Sequence, residues 1–303
     1  MFFLFAMMCL FGFLGSINAQ TTVDLVIGED GTYSNNNLPT QVYYNYSFTQ
    51  QIYTAEELNE LAGTINSIAF KQYDSADRTR NLAIYLLNTT KDSFQSGSDW
   101  VSVTEENMVW TGDVTYPAAA GQWMEIGFQT PFEYTGGNIL VCVCDNTGSY
   151  KTRTNFYAYE ASNRSLSAYR DSSPYDVTNP GVSGGFQGVN NTVRFNITLP
   201  ADFKPLKVNH NPIALGDRPN GAWMRPVEMV VGTKTADLNI AAIETTNSYF
   251  QMSEVELPAV VSGKNTISFD IVHGEAEGNI EGKLAILYNE TRYVEMIEMT
   301  AFA

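Results

Sequence analysis

The sequence contains little cysteine and little histidine. Its cysteines are Cys9, Cys142 and Cys144, and its histidines are His210 and His273. An exported protein held together by disulfides would carry an even set of spread cysteines. Cys142 and Cys144 instead fall on one face of the same predicted strand, a poor geometry for bridging each other. Both histidines lie far along the chain, so no zinc-type ligand set is present. We expect two buried, free thiols and histidines that serve in turns or packing.

Positive charge is also scarce. Seventeen lysines and arginines stand against thirty-three aspartates and glutamates, which gives a net charge of −16. Nucleic acid is therefore not an expected partner, because phosphate binding needs clustered cations. Acidity of this kind is typical of soluble extracellular proteins, and it leaves calcium as the one candidate cofactor.

Long hydrophobic runs are absent except at the start of the chain. "MFFLFAMMCLFGFLGSINAQ" is uncharged and ends in small residues, which predicts a signal peptide over residues 1–19, cleaved after Ala19. The apolar run from Phe2 to Leu14 is shorter than the roughly 20 residues that span a bilayer. We expect an exported protein, secreted or at the cell surface, with no transmembrane segment.

Helical patterns are nearly missing, and short runs with period-two alternation recur instead. Examples are "TINSIAFKQ" (64–72), "NLAIYLLN" (81–88), "QWMEIGFQ" (122–129) and "NILVCVCD" (138–145). The last run is apolar on both faces, which is typical of a covered central strand. Five of the eleven prolines crowd into residues 200–226. The sequence predicts an all-β protein, with a jelly-roll-like β-sandwich over residues 20–200 and an immunoglobulin-like β-sandwich over residues 201–303.

Tyrosines concentrate in "QVYYNYSFTQQIYTAEEL", residues 41–58. A strand over residues 41–49 would place Val42, Tyr44, Tyr46 and Phe48 on one face and Tyr43 on the other. Such aromatics are the usual material of a sandwich core, but a platform that stacks sugars has the same pattern. If the platform exists, the candidate ligand-binding residues are Tyr43, Tyr44, Tyr46 and Trp123.

Three motifs invite a catalytic interpretation that their context does not support. Thr54 to Glu57 fits a capping box, and adjacent carboxylates cannot flank a glycosidic bond from opposite sides. "TEEN" (104–107) has the same character. "GVSGG" (181–185) matches the nucleophile-elbow pattern but lacks the strand before it and the helix after it. We predict no catalytic residues and a protein that is not an enzyme.

Calcium has four candidate ligands, all of them oxygen donors near predicted strand ends. They are Asp24, Glu29, Asp30 and Asp145. Neither stretch that holds them matches the EF-hand pattern D-x-[DN]-x-[DN]-G.

Several separated motifs resemble, in order, a β-sandwich module of secreted and surface proteins from Bacteroidota-type bacteria. They are "SNNNLPTQVYYNYSFTQQIYTAEEL", "TRNLAIYLLNTTKDSF", "DWVSV", "FEYTGGNILVCVCDNTGSY" and "PYDVTNP". The region from "WMRPVEMVV" to "GKLAILYN" resembles the immunoglobulin-like domain that often follows this module. Related jelly-roll adhesin domains accompany secreted cysteine proteases and haemagglutinins, and some of them hold calcium. The resemblance implies a binding or spacer role and carries no catalytic residue onto this chain.

These observations predict an exported, non-catalytic protein for adhesion or presentation at a bacterial cell surface. The expected partners are host or matrix glycans or proteins, and further domains of a longer chain. Two alternatives stay open: a carbohydrate-binding module, and an accessory fragment of a larger secreted protease or adhesin.

Overall fold

The structure is a computed structural model that describes residues 21–29, 31–209, 211–217, 223–235, 237–247, 249–252, 257, 260–273, 278–288 and 293–302. It confirms the all-β class, because 56% of the described residues lie in strands and 1% in helix. The predicted signal peptide lies outside the described residues. Within them, no helix is long and apolar enough to span a bilayer.

Among the described residues, thirteen strands precede residue 200. They are β1 (Thr22–Ile27), β2 (Tyr33–Asn35), β3 (Tyr46–Tyr53), β4 (Gly63–Lys71), β5 (Thr79–Thr89), β6 (Met108–Thr115), β7 (Trp123–Tyr134), β8 (Asn138–Asp145), β9 (Phe156–Glu160), β10 (Ser165–Arg170), β11 (Gly185–Phe186), β12 (Val189–Asn191) and β13 (Val193–Thr198).

The longer strands of this first part form a jelly roll. One sheet has the order β1-β13-β4-β7, and the other contains β3-β8-β5-β6 with β10 and β11 added beyond β3. If the eight main strands are lettered B to I in chain order, the sheets read BIDG and CHEF, which is the jelly-roll arrangement. All pairs in these two sheets are antiparallel. A three-stranded sheet, β12-β9-β2, is built largely from the insertion between β8 and β13.

The six-stranded sheet is covered on both faces, as the doubly apolar pattern of residues 138–145 predicts. On β8, Ile139, Val141 and Val143 pack into the core between the two main sheets. Cys142 and Cys144 point to the opposite face, where loop residues complete a second core. Both thiols are free and buried. Alternate residues of β13 also enter the first core: Val193, Phe195 and Ile197, followed by Leu199.

Strands after residue 205 form two further sheets. They are β14 (Leu206–Val208), β15 (Ile213–Asp217), β16 (Trp223–Thr233), β17 (Ile240–Thr245), β18 (Phe250–Met252), β19 (Lys264–His273), β20 (Asn279–Tyr288) and β21 (Tyr293–Phe302). Their orders are β14-β16-β19-β18 and β15-β21-β20-β17. These correspond to the ABED and CFG sheets of an immunoglobulin-like sandwich, with the first strand split between them. This part has its own core cluster. The domain boundary near Pro200 stays a prediction.

The first strand of the tyrosine-rich stretch begins later than the sequence predicts. Strand β3 starts at Tyr46, and residues 41–45 form a loop. The backbone there is held by contacts outside the sheet: Tyr44 N–H donates to the Gln41 carbonyl, and the Val42 carbonyl accepts from Lys151 N–H. Val42 consequently joins the first core, while Phe48 joins the second.

The predicted capping box is present at the end of β3. Thr54 N–H donates to Glu57 Oε2 at 2.8 Å, and Glu57 N–H donates to Thr54 Oγ1 at 3.3 Å. The turn stops after one helical bond, because Asn59 and Glu60 adopt positive φ. Leu58 and Leu61 are buried in the first core, so the turn closes this end of the sandwich.

Candidate functional site

Two loops at one end of the jelly roll are joined by backbone hydrogen bonds. Residues 41–45 lead into β3, and residues 146–155 follow β8. Gly148 N–H donates to the Asn45 carbonyl at 3.0 Å, and Lys151 N–H donates to the Val42 carbonyl at 2.8 Å. Gly148 has φ of +73°, and an added Cβ would lie 3.2 Å from the hydroxyl of Tyr46. A side chain at this position would therefore strain the junction of the loops.

A buried ion pair lies beneath these loops. Arg80 and Asp145 are both fully buried, and Arg80 Nε donates to Asp145 Oδ2 at 2.7 Å. The same guanidinium donates to the carbonyls of Ser149 and Tyr44, one from each loop. Asp145 Oδ1 accepts hydrogen bonds from the backbone and hydroxyl of Thr147. Burial raises the pKa of Asp145, although Arg80 and Thr147 act in the opposite direction. The pair thus fixes the backbone of both loops.

Four tyrosines lie together on the surface above this pair, and we call them the tyrosine patch: Tyr43, Tyr44, Tyr150 and Tyr169. Tyr44 stacks on Tyr169 with ring centroids 4.2 Å apart. Tyr43 makes edge contacts with Tyr44 at 5.6 Å and with Tyr150 at 6.3 Å. The exposed fractions are 48% for Tyr43, 68% for Tyr150 and 43% for Tyr169. Most surface aromatics occur singly, so a contiguous exposed group marks a candidate binding surface.

A shallow groove of about 380 Å³ lies along the patch. It is lined by Tyr43, Tyr150, Lys151, Thr152 and Arg153. The guanidinium carbon of Arg153 lies 4.9 Å from the centroid of the Tyr43 ring, within the range of a cation–π contact. The groove therefore offers ring surface for stacking together with hydrogen-bond donors and positive charge.

The four predicted ligand-binding residues separate in the structure. Tyr43 and Tyr44 belong to the patch, whereas Tyr46 is half-buried and packs against the second core. Trp123 lies elsewhere, at the start of β7, between the Lys71 ammonium at 5.8 Å and the Arg194 guanidinium at 5.1 Å from its centroid.

Sequence reasoning missed five contributors to the site, namely Tyr150, Lys151, Thr152, Arg153 and Tyr169. Tyr150 and Arg153 follow β8 in "CDNTGSYKTR", roughly a hundred positions from Tyr43. One feature of the sequence could have indicated these residues: an aromatic residue and two cations follow the turn that ends a strand. Connections between strands often carry binding residues.

The three calcium candidates that the structure describes, Asp24, Glu29 and Asp145, are not brought to one place. Asp24 on β1 accepts a hydrogen bond from Asn196 Nδ2 at 2.7 Å and is exposed, as is Glu29. Asp145 is buried against Arg80, and Asp30 lies outside the described residues. Across the part of the chain that the structure describes, no three His, Cys, Asp or Glu side chains form a metal-binding group. Calcium binding stays a prediction.

Glu57 is engaged in a structural cluster. Its Oε2 accepts from Arg164 Nη1 at 2.6 Å, and its Oε1 accepts from the Tyr159 hydroxyl at 2.9 Å. Burial alone would raise the pKa of Glu57, but Arg164 and the Thr54 backbone hold it below its ordinary value. Its exposed neighbour Glu56 is not part of this cluster.

The "GVSGG" segment is a loop that packs on Trp100. Trp100 Nε1 donates to the Val182 carbonyl at 2.9 Å, and a Cβ on Gly184 would lie 2.4 Å from the indole ring. Residues 181–184 precede the two-residue strand β11 and no helix follows. Gly184 is therefore required by packing. Of the two histidines, His210 lies outside the described residues and His273 ends β19.

Neither protein-family models nor curated protein sequences give a match to this chain. Among solved structures, a protein of unknown function from Porphyromonas gingivalis W83 matches with 8% identity over 84% of this chain and 99% of its own, at a TM-score of 0.27. The VesB protease of Vibrio cholerae matches with the same values. A GH5 xyloglucanase of Bacteroides ovatus, in complex with a XXXG heptasaccharide, shares 12% identity over 32% of this chain and only 18% of its own, at a TM-score of 0.22. Scores this low carry no argument about function.

Proposed function

We propose that this protein is an exported, non-catalytic binding protein that serves adhesion or presentation at a bacterial cell surface, with glycans as its ligands. The single observation that carries the proposal is the tyrosine patch. Three of its four rings are exposed, and the rings contact one another. Tyr43, Tyr44 and Tyr150 lie on the two loops that the buried Arg80–Asp145 pair fixes, and Tyr169 lies on β10. A rigid aromatic surface loses little conformational entropy when a ligand binds.

The chemistry of the patch fits sugars. A tyrosine ring offers an apolar face for the C–H face of a pyranose, and its hydroxyl offers a hydrogen bond at the rim. Thr152 and the cations of the groove add donors for sugar oxygens. The same binding role would serve an accessory part of a larger secreted protease or adhesin.

The absence of catalysis is the second part of the proposal. It is supported by the surroundings of the carboxylates and the serine that the sequence singles out. Glu57 is bound by Arg164 and Tyr159, Asp145 is paired with buried Arg80, and Ser183 lies in a loop that packs on Trp100.

Affinity electrophoresis in gels that contain single polysaccharides tests the proposal. We expect the full chain to be retarded by at least one polysaccharide, and the double variant Tyr43→Ala/Tyr150→Ala to lose roughly tenfold or more in affinity. Tyr73→Ala is the matched control, because Tyr73 is 44% exposed and contacts Tyr157 outside the patch. Retardation by no polysaccharide, or equal losses in the double variant and the control, would contradict the proposal.

A further inference from the structure

Part of the unpaired positive charge of the first sandwich lies at the groove. Residues 21–200 contain few cations, and several of them are neutralised by carboxylates: Arg80, Lys91, Arg164 and Arg194. Lys151 and Arg153 are exposed and form no ion pair with a described residue. In a chain with net charge −16, two adjacent unpaired cations beside an aromatic surface are an unusual feature.

A third cation, Arg78, binds the backbone of the segment that lines the groove. Arg78 Nη1 donates to the carbonyl of Thr152, the residue between Lys151 and Arg153. The carboxylates that contact these loops accept hydrogen bonds from loop residues outside the groove lining: Asp171 from Asn45, Asp145 from Thr147 and Asp74 from Asn155. The side chains that line the groove itself include no carboxylate.

The arrangement of rings and cations fits a specific class of glycan. Tyr43 and Tyr150 offer stacking surface, and Lys151 and Arg153 offer charge along one side of the same groove. The Arg153 guanidinium also stacks on Tyr43, which holds both side chains in place. A sugar ring that carries a carboxylate or sulfate would meet both features together, since guanidinium groups form strong charge-assisted hydrogen bonds with such anions.

We infer that the groove lined by Tyr43, Tyr150, Lys151, Thr152 and Arg153 binds an acidic polysaccharide, with Lys151 and Arg153 contacting its anionic groups. The inference rests on the proposed glycan-binding function and names the ligand class of that same site. An acidic peptide is disfavoured because the exposed faces of Tyr43 and Tyr150 along the groove suit the flat face of a pyranose better than an extended backbone.

Three polymers separate the contributions of sugar and charge. Polygalacturonate carries a carboxylate on every sugar, its methyl ester has the same backbone without charge, and poly-L-glutamate carries carboxylates on a peptide. Binding of the full chain to each is measured by affinity electrophoresis at low and at high salt. We expect tight binding to polygalacturonate that weakens with salt, weaker binding to the ester, and weakest binding to poly-L-glutamate.

The variant Lys151→Gln/Arg153→Gln removes both charges and keeps polar side chains of similar length. We expect it to lose roughly tenfold or more in affinity for polygalacturonate, and a clearly smaller factor in affinity for the methyl ester, which offers only neutral hydrogen-bond partners to these side chains. Lys71→Gln is the control, because Lys71 contacts Trp123 and Tyr157 away from the groove. Thermal unfolding of each variant checks that the fold is retained.

The outcomes distinguish this inference from the proposed function. If the charge variant binds polygalacturonate as the wild type does, while Tyr43→Ala/Tyr150→Ala abolishes binding, the inference is wrong and the proposed function stands. If only neutral polysaccharides bind, the inference is also wrong. If poly-L-glutamate binds as tightly as polygalacturonate, the groove recognises charge alone and the polysaccharide assignment is wrong. If no polysaccharide of either kind binds, both fail.

Discussion

Arg80 and Asp145 form a fully buried ion pair, and its main role is to hold backbone groups through hydrogen bonds. Besides each other, the two side chains bind Tyr44, Thr147 and Ser149, which belong to the loops that carry three of the four tyrosines of the patch. A buried pair is a weak source of stability compared with apolar packing, but removing one partner leaves an uncompensated charge. We therefore regard the pair as the device that positions the two loops.

Arg80→Met tests this role. We expect a loss of about 3–5 kcal/mol in the free energy of unfolding, because the carboxylate of Asp145 stays buried without its partner. Without Arg80 the pKa of Asp145 rises further, so the folded state favours the protonated acid. Stability should therefore be lost as pH rises through that pKa, and the variant should be less impaired at pH 5 than at pH 8.

Chemical denaturation at the two pH values measures both effects. The double variant Arg80→Met/Asp145→Leu should recover part of the lost stability and show no such pH dependence. A single variant as stable as the wild type at pH 8 would contradict the account.

Glu57 illustrates the opposite shift. Its pKa is lowered in the folded chain. The ionised carboxylate therefore contributes its full stabilisation above the unfolded-state pKa of about 4.3, and this stabilisation is lost as pH falls through the folded-state pKa. Glu57→Gln should lower the free energy of unfolding by about 1–2 kcal/mol at pH 7, since the contact with half-buried Arg164 is weakened. The difference in the free energy of unfolding between Glu57→Gln and the wild type should become smaller below pH 4. Glu56→Gln, at the exposed neighbour, should change stability little, and equal effects of the two substitutions would refute the assigned role.

At the scale of elements, the alternation of apolar and polar residues is enough to predict the strands, because every second side chain of a strand lies on the same face. The runs at 81–88 and 138–145 lie within strands, and those at 64–72 and 122–129 do so except for one end residue each. The stretch 41–49 was predicted too long, because its first residues bond to a loop a hundred positions away, which local pattern cannot reveal. The tyrosine patch was half predictable for the same reason: Tyr43 and Tyr44 are visible in the sequence, but only the fold adds Tyr150 and Tyr169.

Strand β8 provides a prediction of its own. Burial raises the pKa of Cys144 to about 12 and that of Cys142 well above its ordinary value. Since the thiolate is the reactive form, neither thiol should react with Ellman's reagent at pH 8 in the folded protein. Both should react once the protein is unfolded in guanidinium chloride. Rapid labelling under native conditions would show that β8 is not covered on both faces.

At the scale of the whole molecule, the predicted signal peptide and the acidic composition both point to an exported protein. We expect processing after Ala19, which would give a mature chain that begins at Gln20. Expression of the full chain in a Gram-negative host, followed by fractionation and amino-terminal sequencing, measures this. A chain that stays in the cytoplasm with its first residues intact would contradict the export proposal.

The central claim is that this molecule binds glycans through its tyrosine patch and leaves them unchanged. Saturation-transfer difference NMR tests it most directly, with an oligosaccharide fragment of the polysaccharide that retards the protein most strongly. The account predicts saturation of the sugar ring protons with the wild type, its loss with Tyr43→Ala/Tyr150→Ala, and an unaltered oligosaccharide spectrum after a day. Cleavage of the oligosaccharide, or saturation that persists in the double variant, would contradict it.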